Sequence, residues 1–197
     1  LDWPQAPWEP KGGGDVEPLV LKRAQSVVLH AFPSVGVRHA DRLLTEVLNE
    51  LFNGLSSRLF EAVREKKGLA YYVGSSQIIG YQDAMFFFYA GTEPSQSALV
   101  LAEIDAEINR VIESGPELDE FDRCRTRLKA ARAMSMQTIG ARAMHAALQT
   151  TYGLPLESEA AYAKRVDALQ LNDLRTFAAH QFKAAWATRM IVGPTTP

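Results

Sequence analysis

Side chains that commonly hold metals or act as nucleophiles are scarce in this chain of 197 residues. The one cysteine is Cys124, and the four histidines are His30, His39, His145 and His180. None of these histidines has another histidine within one helical turn. Because paired histidines on one helix face are a common basis of protein zinc sites, the sequence predicts no metal site here. Three glycines at residues 12–14 lack the Lys-Ser/Thr of a phosphate loop and indicate a linker.

The densest group of hydrogen-bond donors lies in residues 56–73, which read SSRLFEAVREKKGLAYYV. The two serines predict the start of a helix, and Gly68 predicts the left-handed residue that ends it. An apolar stripe at helical spacing consists of Leu59, Phe60 and Val63. From Leu69 the composition turns aromatic and β-branched, which is typical of a strand.

Two side chains flank the predicted helix end, Arg64 in the last turn and Tyr71 at the start of the strand. Residue chemistry alone allows ordinary roles, with Arg64 stabilising the helix dipole and Tyr71 packing on the strand. Tyr72 is the alternative phenol, which strand alternation predicts on the opposite face. Arg58 and Glu61 are predicted to be structural, because Glu61 lies three residues before Arg64, within pairing distance.

The other elements follow from apolar periodicity and turn residues. Strands are predicted within residues 18–33, at 69–77 and 84–90 around a hairpin, and at 186–192, with a turn at 33–36. Helices are predicted at 39–52, from Pro94 to Gly115, and at 117–137, 141–152, 157–166 and 172–182. The strand at 84–90 is apolar on both faces, which predicts a central strand covered on both sides. The order predicts an α+β fold, a largely antiparallel sheet with several helices packed on one face.

Residues 56–73 resemble the signature of the non-zinc half of the pitrilysin, or insulinase, metallopeptidases of the M16 family. That signature runs Ser-Ser-Arg-Leu-Phe, then Arg-Glu-Lys, then Gly-Leu-Ala-Tyr, and this sequence carries it without a gap. The resemblance implies that residues 17–197 form the C-terminal, non-zinc domain, one half of a clamshell whose halves share a fold. Residues 1–16, rich in proline and glycine, are predicted to be a linker or N-terminal arm.

The resemblance also implies that the zinc motif, His-x-x-Glu-His, lies on a helix of the other half. Superposing the halves through the helix at 39–52 places Thr45, Leu48 and Asn49 where the ligands and base would stand. These three side chains cannot form a zinc-hydroxide site. The chain is therefore expected to bind no cofactor and to be inactive alone, with the zinc held by a partner half.

The positions of Arg64 and Tyr71 resemble those of the arginine and tyrosine that the non-zinc half extends toward the substrate backbone. The resemblance implies that this pair assists hydrolysis of the scissile bond, because donors aimed at a carbonyl oxygen stabilise its developing charge. The alternative is a catalytically inactive structural or assembly subunit.

The expected partners are a zinc-bearing M16 domain or subunit and a peptide substrate. The isolated chain could also form a homodimer, because the apolar wall meant for its partner would be exposed. A net charge of −2 gives no reason to expect nucleic acid, and no apolar run is long enough to span a membrane. The chain is expected to be soluble, with the compartment open between bacterial periplasm and cytoplasm.

Overall fold

Alternating apolar residues build a five-stranded sheet in the computed structural model, which describes residue 14 and residues 19–194. The strands are β1 (Leu19–Val20), β2 (Ser26–Val35), β3 (Ala70–Ile79), β4 (Asp83–Thr92) and β5 (Thr188–Gly193). Their order across the sheet is β1-β5-β2-β4-β3, and every pair is antiparallel except β1 with β5. The predicted linker at residues 1–16 lies outside the described residues, apart from Gly14.

The helices pack on one face of this sheet, as the sequence predicts. They are α1 (Arg42–Phe52), a π-helix (Phe60–Glu65), α2 (Ser97–Ser114), α3 (Leu118–Ser135), α4 (Ile139–Thr151), α5 (Glu159–Asp167) and α6 (Leu171–Gln181). Helices α1, α2 and α6 contact the strands directly, whereas α3 packs on α1 and α5 packs on α3. No described helix is both long enough and apolar enough to cross a membrane.

An aromatic cluster fills the space between the helices and the sheet. Phe182, which follows α6, lies at its centre, with its ring centroid 5.1 to 6.0 Å from four other phenylalanine rings. These four are Phe32 of β2, Phe52 of α1, and Phe86 and Phe88 of β4. Rings at such distances and tilts contribute packing energy beyond the apolar area that they bury.

The opposite face of the sheet carries no helix among the described residues. On β4, Phe86 and Phe88 are fully buried under the helices, whereas Phe87 and Tyr89 are half-buried and Met85 is exposed. The prediction that this strand is central is confirmed, since β4 lies between β2 and β3. The prediction that both its faces are covered is wrong for the described part of the chain. The uncovered face is defined here as the side of the sheet that carries Phe87, Tyr89 and Met85.

The predicted turn at residues 33–36 is also wrong, because β2 continues through Pro33 to Val35. Proline is tolerated there because β5 pairs with β2 only as far as Ala31, which leaves one side of the strand open beyond that point. The Pro33 carbonyl accepts a hydrogen bond of 2.6 Å from Nε2 of Gln181 on α6.

His30 is the most deeply buried titratable side chain of the sheet, at 1% exposure. Its Nδ1 atom lies 3.3 Å from Oδ1 of Asp105 on α2, and its ring centroid lies 4.5 Å from that of Phe32. Burial, assisted by the positive charge of Arg189 on β5, lowers the pKa of His30 to about 3. The imidazole is therefore neutral at physiological pH and packs as a core residue.

A pH titration of stability tests this description of His30. In the unfolded chain the His30 imidazole takes up a proton near its usual pKa of 6.5. In the folded chain the imidazole stays neutral until the pH falls to about 3. Between these values the free energy of unfolding should therefore fall as the pH falls, by about 1.4 kcal/mol per pH unit from this residue. Urea denaturation at a series of pH values should show this extra slope in the natural chain and not in His30→Gln. Parallel pH dependences of the two chains would contradict the assignment.

Candidate functional site

The segment that carries Arg64 is fixed at both ends by its own sequence. At its start the Ser57 hydroxyl accepts a hydrogen bond of 3.2 Å from the Phe60 amide, which confirms the predicted serine cap. At its end Gly68 adopts a φ of +61°, as predicted. Between them Leu59 and Val63 are completely buried in the core. The segment is therefore held with one face against α2 and the sheet.

The helix in this segment is wound as a π-helix, not as the α-helix that the apolar stripe predicts. The Lys66 amide donates to the Glu61 carbonyl five residues earlier, at 2.9 Å. In this winding the side chains five residues apart share a face, and Glu61 pairs with Lys66 at 2.9 Å. The predicted pairing of Glu61 with Arg64 is therefore wrong, and the wider turn is its physical reason.

Arg64 has no carboxylate partner among the described residues. Its side chain is exposed, and its guanidinium carbon lies 4.9 Å from the centroid of the Phe60 ring, four residues earlier. A cation–π contact of this kind orients the guanidinium without using its N–H donors. These donors therefore remain available to an acceptor from outside the chain.

Tyr71 is the extra residue of an irregularity in β3. The pairing with β4 passes from Ala70 opposite Thr92 directly to Tyr72 opposite Gly91, so that Tyr71 has no partner residue. Its side chain is 49% exposed, and its hydroxyl makes no hydrogen bond with the described residues. Strand alternation does not hold across such an irregularity. The argument that separates Tyr71 from Tyr72 by strand face therefore fails.

The packing of the rings, and not the strand face, distinguishes Tyr71 from Tyr72. The Tyr72 ring lies directly over Gly91 of β4, where a Cβ atom would overlap it. Its centroid is 6.2 Å from that of Tyr89 on the same uncovered face. Neither hydroxyl makes a hydrogen bond with the described residues, and Tyr72 is 42% exposed, so that the packing of its ring on the sheet is what distinguishes Tyr72 from Tyr71.

Two backbone hydrogen bonds join the end of the π-helix to the start of β3. The Gly68 amide donates to the Arg64 carbonyl at 3.0 Å, and the Leu69 amide donates to the Val63 carbonyl at 2.9 Å. Arg64 and Tyr71 thus flank one closed turn. Three cavities of about 400 to 460 Å³ occur in the described part, and neither Arg64 nor Tyr71 lines them, although one lies between the neighbouring residues of this segment and α2. The pair lies on open surface, where it can donate hydrogen bonds to a second molecule.

The face of α1 that the sequence comparison assigns to metal ligands cannot hold zinc. Thr45 and Leu48 are almost completely buried in the core. Asn49 accepts a hydrogen bond of 3.0 Å from the Ser75 hydroxyl. Among the described residues, no group of three or more His, Cys, Asp or Glu side chains could hold a metal ion. The residues present do not fit a zinc site.

The carboxylates on the outer side of α1 are already paired. Glu46 contacts Arg42 at 3.0 Å and accepts a hydrogen bond of 3.2 Å from the Tyr162 hydroxyl. Glu50 contacts Arg127 of α3 at 3.2 Å. These contacts tie α1 to α3 and α5, so that the carboxylates serve the helix packing.

His145, His180 and the cysteine have structural surroundings. His145 on α4 contacts Arg132, and burial together with that guanidinium lowers the pKa of His145. His180 on α6 packs against Trp186, with ring centroids 5.1 Å apart. Burial raises the pKa of the Cys124 thiol to about 11, so that it is an inert thiol.

Sequence reasoning missed one residue that contacts the start of the segment carrying Arg64, Glu107 of α2. It lies within the apolar stripe of that helix, beside Ile104, Ile108 and Val111. A glutamate at a core position of an amphipathic helix is the signal that could have indicated it, because buried carboxylates are nearly always paired. In the structure Glu107 faces Arg58 and Arg110.

Comparison with known proteins agrees with the signature in residues 56–73. The family described as the peptidase M16 inactive domain matches residues 2–128. An uncharacterised zinc protease of Streptomyces coelicolor is 37% identical over 133 residues, which cover 66% of this chain and 29% of that protein. An uncharacterised zinc protease of Rickettsia bellii is 33% identical over 117 residues, 58% of this chain and 28% of that protein.

Solved structures share the fold at low identity. A peptidase M16 inactive domain from Pseudomonas fluorescens superposes with a TM-score of 0.86 at 18% identity, over 96% of this chain and 46% of that chain. A protease from Helicobacter pylori gives 0.82 at 22% identity, over 94% and 45%. The inactive peptidase domain of a zinc protease from Bordetella parapertussis gives 0.74 at 16% identity, over 90% and 98%.

The likeness therefore extends over the signature, the element order and the sheet topology. The chain spans less than a third of the length of the curated relatives that it matches. With its family match over residues 2–128, the chain belongs to the M16 peptidase family, as an inactive domain.

Proposed function

We propose that this chain is the non-zinc half of an M16-type zinc endopeptidase and forms one wall of its peptide-binding chamber. Arg64 and Tyr71 would donate hydrogen bonds to the backbone of a peptide held by the zinc-bearing half. One observation carries the proposal: both donors are exposed, have no acceptor among the described residues, and flank one turn closed by backbone hydrogen bonds. The names of the zinc-protease relatives support the reaction class.

The chemistry of the two donors fits amide hydrolysis. A hydrolytic intermediate gathers negative charge on the carbonyl oxygen of the scissile bond. A guanidinium stabilises that charge by Coulomb attraction and directed N–H bonds, and a phenol adds a neutral donor. Arg64 is restrained by its contact with Phe60. It therefore loses less side-chain freedom on binding than an unrestrained arginine would.

The zinc belongs to the other half in this proposal, because the residues on α1 do not fit it. Thr45 and Leu48 face the core, and the outer carboxylates Glu46 and Glu50 are engaged in helix packing. This chain would contribute binding and orientation through Arg64 and Tyr71.

The isolated chain should have no peptidase activity, even with zinc added. Its own residues offer no metal site among the described part, so that added zinc has no catalytic position. Hydrolysis of a quenched fluorescent peptide library by purified residues 1–197 should match the buffer blank. Adding the zinc-bearing half should produce activity. Zinc-dependent turnover by the isolated chain would contradict the proposal.

In the assembled enzyme, Arg64→Ala and Tyr71→Phe should each lower kcat by roughly ten- to a thousandfold, the range for losing one donor to an oxyanion. Tyr72→Phe is the matched control for the phenol, because Tyr72 packs over Gly91. Arg123→Ala is the control for an exposed arginine, because Arg123 pairs with Asp119 within α3 and is no part of the proposed site.

Both controls should retain turnover close to that of the natural enzyme. Unchanged kcat in Arg64→Ala and Tyr71→Phe would remove the pair from the mechanism. That result would favour the alternative of an inactive structural or assembly subunit.

The isolated chain should also self-associate through its uncovered face. Ile78 of β3 is 60% exposed and pairs in register with exposed Met85 of β4. Exposed apolar surface of this kind marks an interaction site. Sedimentation velocity should show a concentration-dependent dimer that Ile78→Lys weakens, whereas Leu118→Lys, an exposed position on α3, should leave it unchanged. A monomer at high concentration would contradict this.

A further inference from the structure

We propose that two ion pairs to α2, Arg58 with Glu107 and Lys67 with Glu103, act as positioning contacts for Arg64. They bracket the π-helix, with Arg58 before it and Lys67 after it. The inference rests on the proposed function of Arg64 and Tyr71 and adds residues on a second helix to it.

The first contact lies mostly inside the protein. Arg58 is 14% exposed and Glu107 is 2% exposed, with Nη1 of Arg58 3.9 Å from Oε2 of Glu107. The other guanidinium nitrogen, Nη2, donates to Glu120 of α3. Burial raises the pKa of Glu107, while Arg110 and Arg58 oppose that shift. An arginine that reaches two helices fixes the start of the segment in direction as well as in distance.

Glu120, the second partner of Arg58, is itself held in place by a hydrogen bond. Its Oε2 atom also accepts a hydrogen bond of 2.9 Å from the Glu117 amide, as part of the capping box that begins α3. Arg58 is therefore joined to a carboxylate that is already held by the end of a long helix. A movement of the segment would disturb this cap.

The second contact secures the other end of the π-helix. The Lys67 ammonium pairs with Glu103, whose side chain is mostly buried. Glu103 and Glu107 lie four residues apart, so that they occupy successive turns of one face of α2. The two positioning contacts thus lie along one line on α2, and Arg64 lies in the sequence between Arg58 and Lys67.

This arrangement differs from surface ion pairs that contribute little. Exposed pairs such as Arg123 with Asp119 are screened by water, and their loss has little effect on structure. Arg58 and Glu107 are both largely buried, and losing the Glu107 charge would leave the Arg58 guanidinium held by Glu120 of α3 alone, without its contact to α2. Arg64 lies between Arg58 and Lys67 in the sequence, and a shift of about 1 Å in a reacting group can cost up to a hundredfold in rate.

The test uses a double-mutant cycle in the assembled enzyme. Glu107→Gln should lower kcat by about five- to fiftyfold when Arg64 is present. It should lower kcat less than about twofold in the Arg64→Ala background, because the contact of Arg58 with Glu107 then has no guanidinium to position. Arg58→Lys should recover part of the loss caused by Arg58→Met. Arg123→Met is the control, and it should behave alike in both backgrounds.

Hydrogen exchange of the amides in residues 58–69 gives a readout that does not depend on activity. Glu107→Gln and Lys67→Met should each speed exchange in this segment. If Glu107→Gln does not fold, Lys67→Met still tests the proposal, because it leaves the buried pair of Arg58 with Glu107 intact. Equal loss of kcat in both backgrounds, or unchanged exchange, would overturn the positioning role. Faster exchange with no effect of Arg64→Ala on kcat would instead refute the proposed function of Arg64.

Discussion

Burial of Leu59 and Val63 is the constraint on which the site depends. Both side chains are completely excluded from solvent, and they fix the rotation of the π-helix about its axis. Once Val63 is turned inward, the next residue in the chain, Arg64, is carried to the outside. Gly68 then closes the turn, and the chain enters β3 within two residues. The apolar contacts therefore decide where the polar donors point.

The closing turn also explains why the site lies at one end of an edge strand. β3 is the last strand on its side of the sheet, and its first residues include the irregularity at Tyr71. An extra residue in a strand re-aims the neighbouring side chains without unpairing the rest of the ladder. The phenol is thus presented outward while Val73, two residues on, returns to the core.

The sequence predicts those parts of the fold that local chemistry dictates. The wide apolar stripe of α1, the Ser57 cap and the left-handed Gly68 follow from residue type and spacing, and the structure confirms them. The α+β order follows as well, because the hairpin and the helices have separate periodicities. The predicted helix limits differ from the observed ones by a few residues, where caps and turns compete.

Other features depend on contacts distant in sequence, and for that reason local patterns do not reveal them. Pro33 suits β2 because the pairing of β2 with β5 ends at Ala31, which is set by contacts across the sheet. Of the predicted apolar stripe, Leu59 and Val63 are buried and Phe60 is half-buried; such a stripe predicts a helix and does not distinguish π from α winding. Glu107 becomes interpretable only when Arg58 is known to face it. The roles proposed for Arg64 and Tyr71 rest on the family signature, since their residue types alone allow ordinary roles.

A structure of this chain assembled with a zinc-bearing half and a bound, uncleaved peptide tests the central claim most directly. The account predicts that a guanidinium nitrogen of Arg64 and the hydroxyl of Tyr71 each lie about 3 Å from backbone oxygens of the peptide, within hydrogen-bond range. A peptide bound against another surface, with both side chains facing bulk solvent, would contradict it.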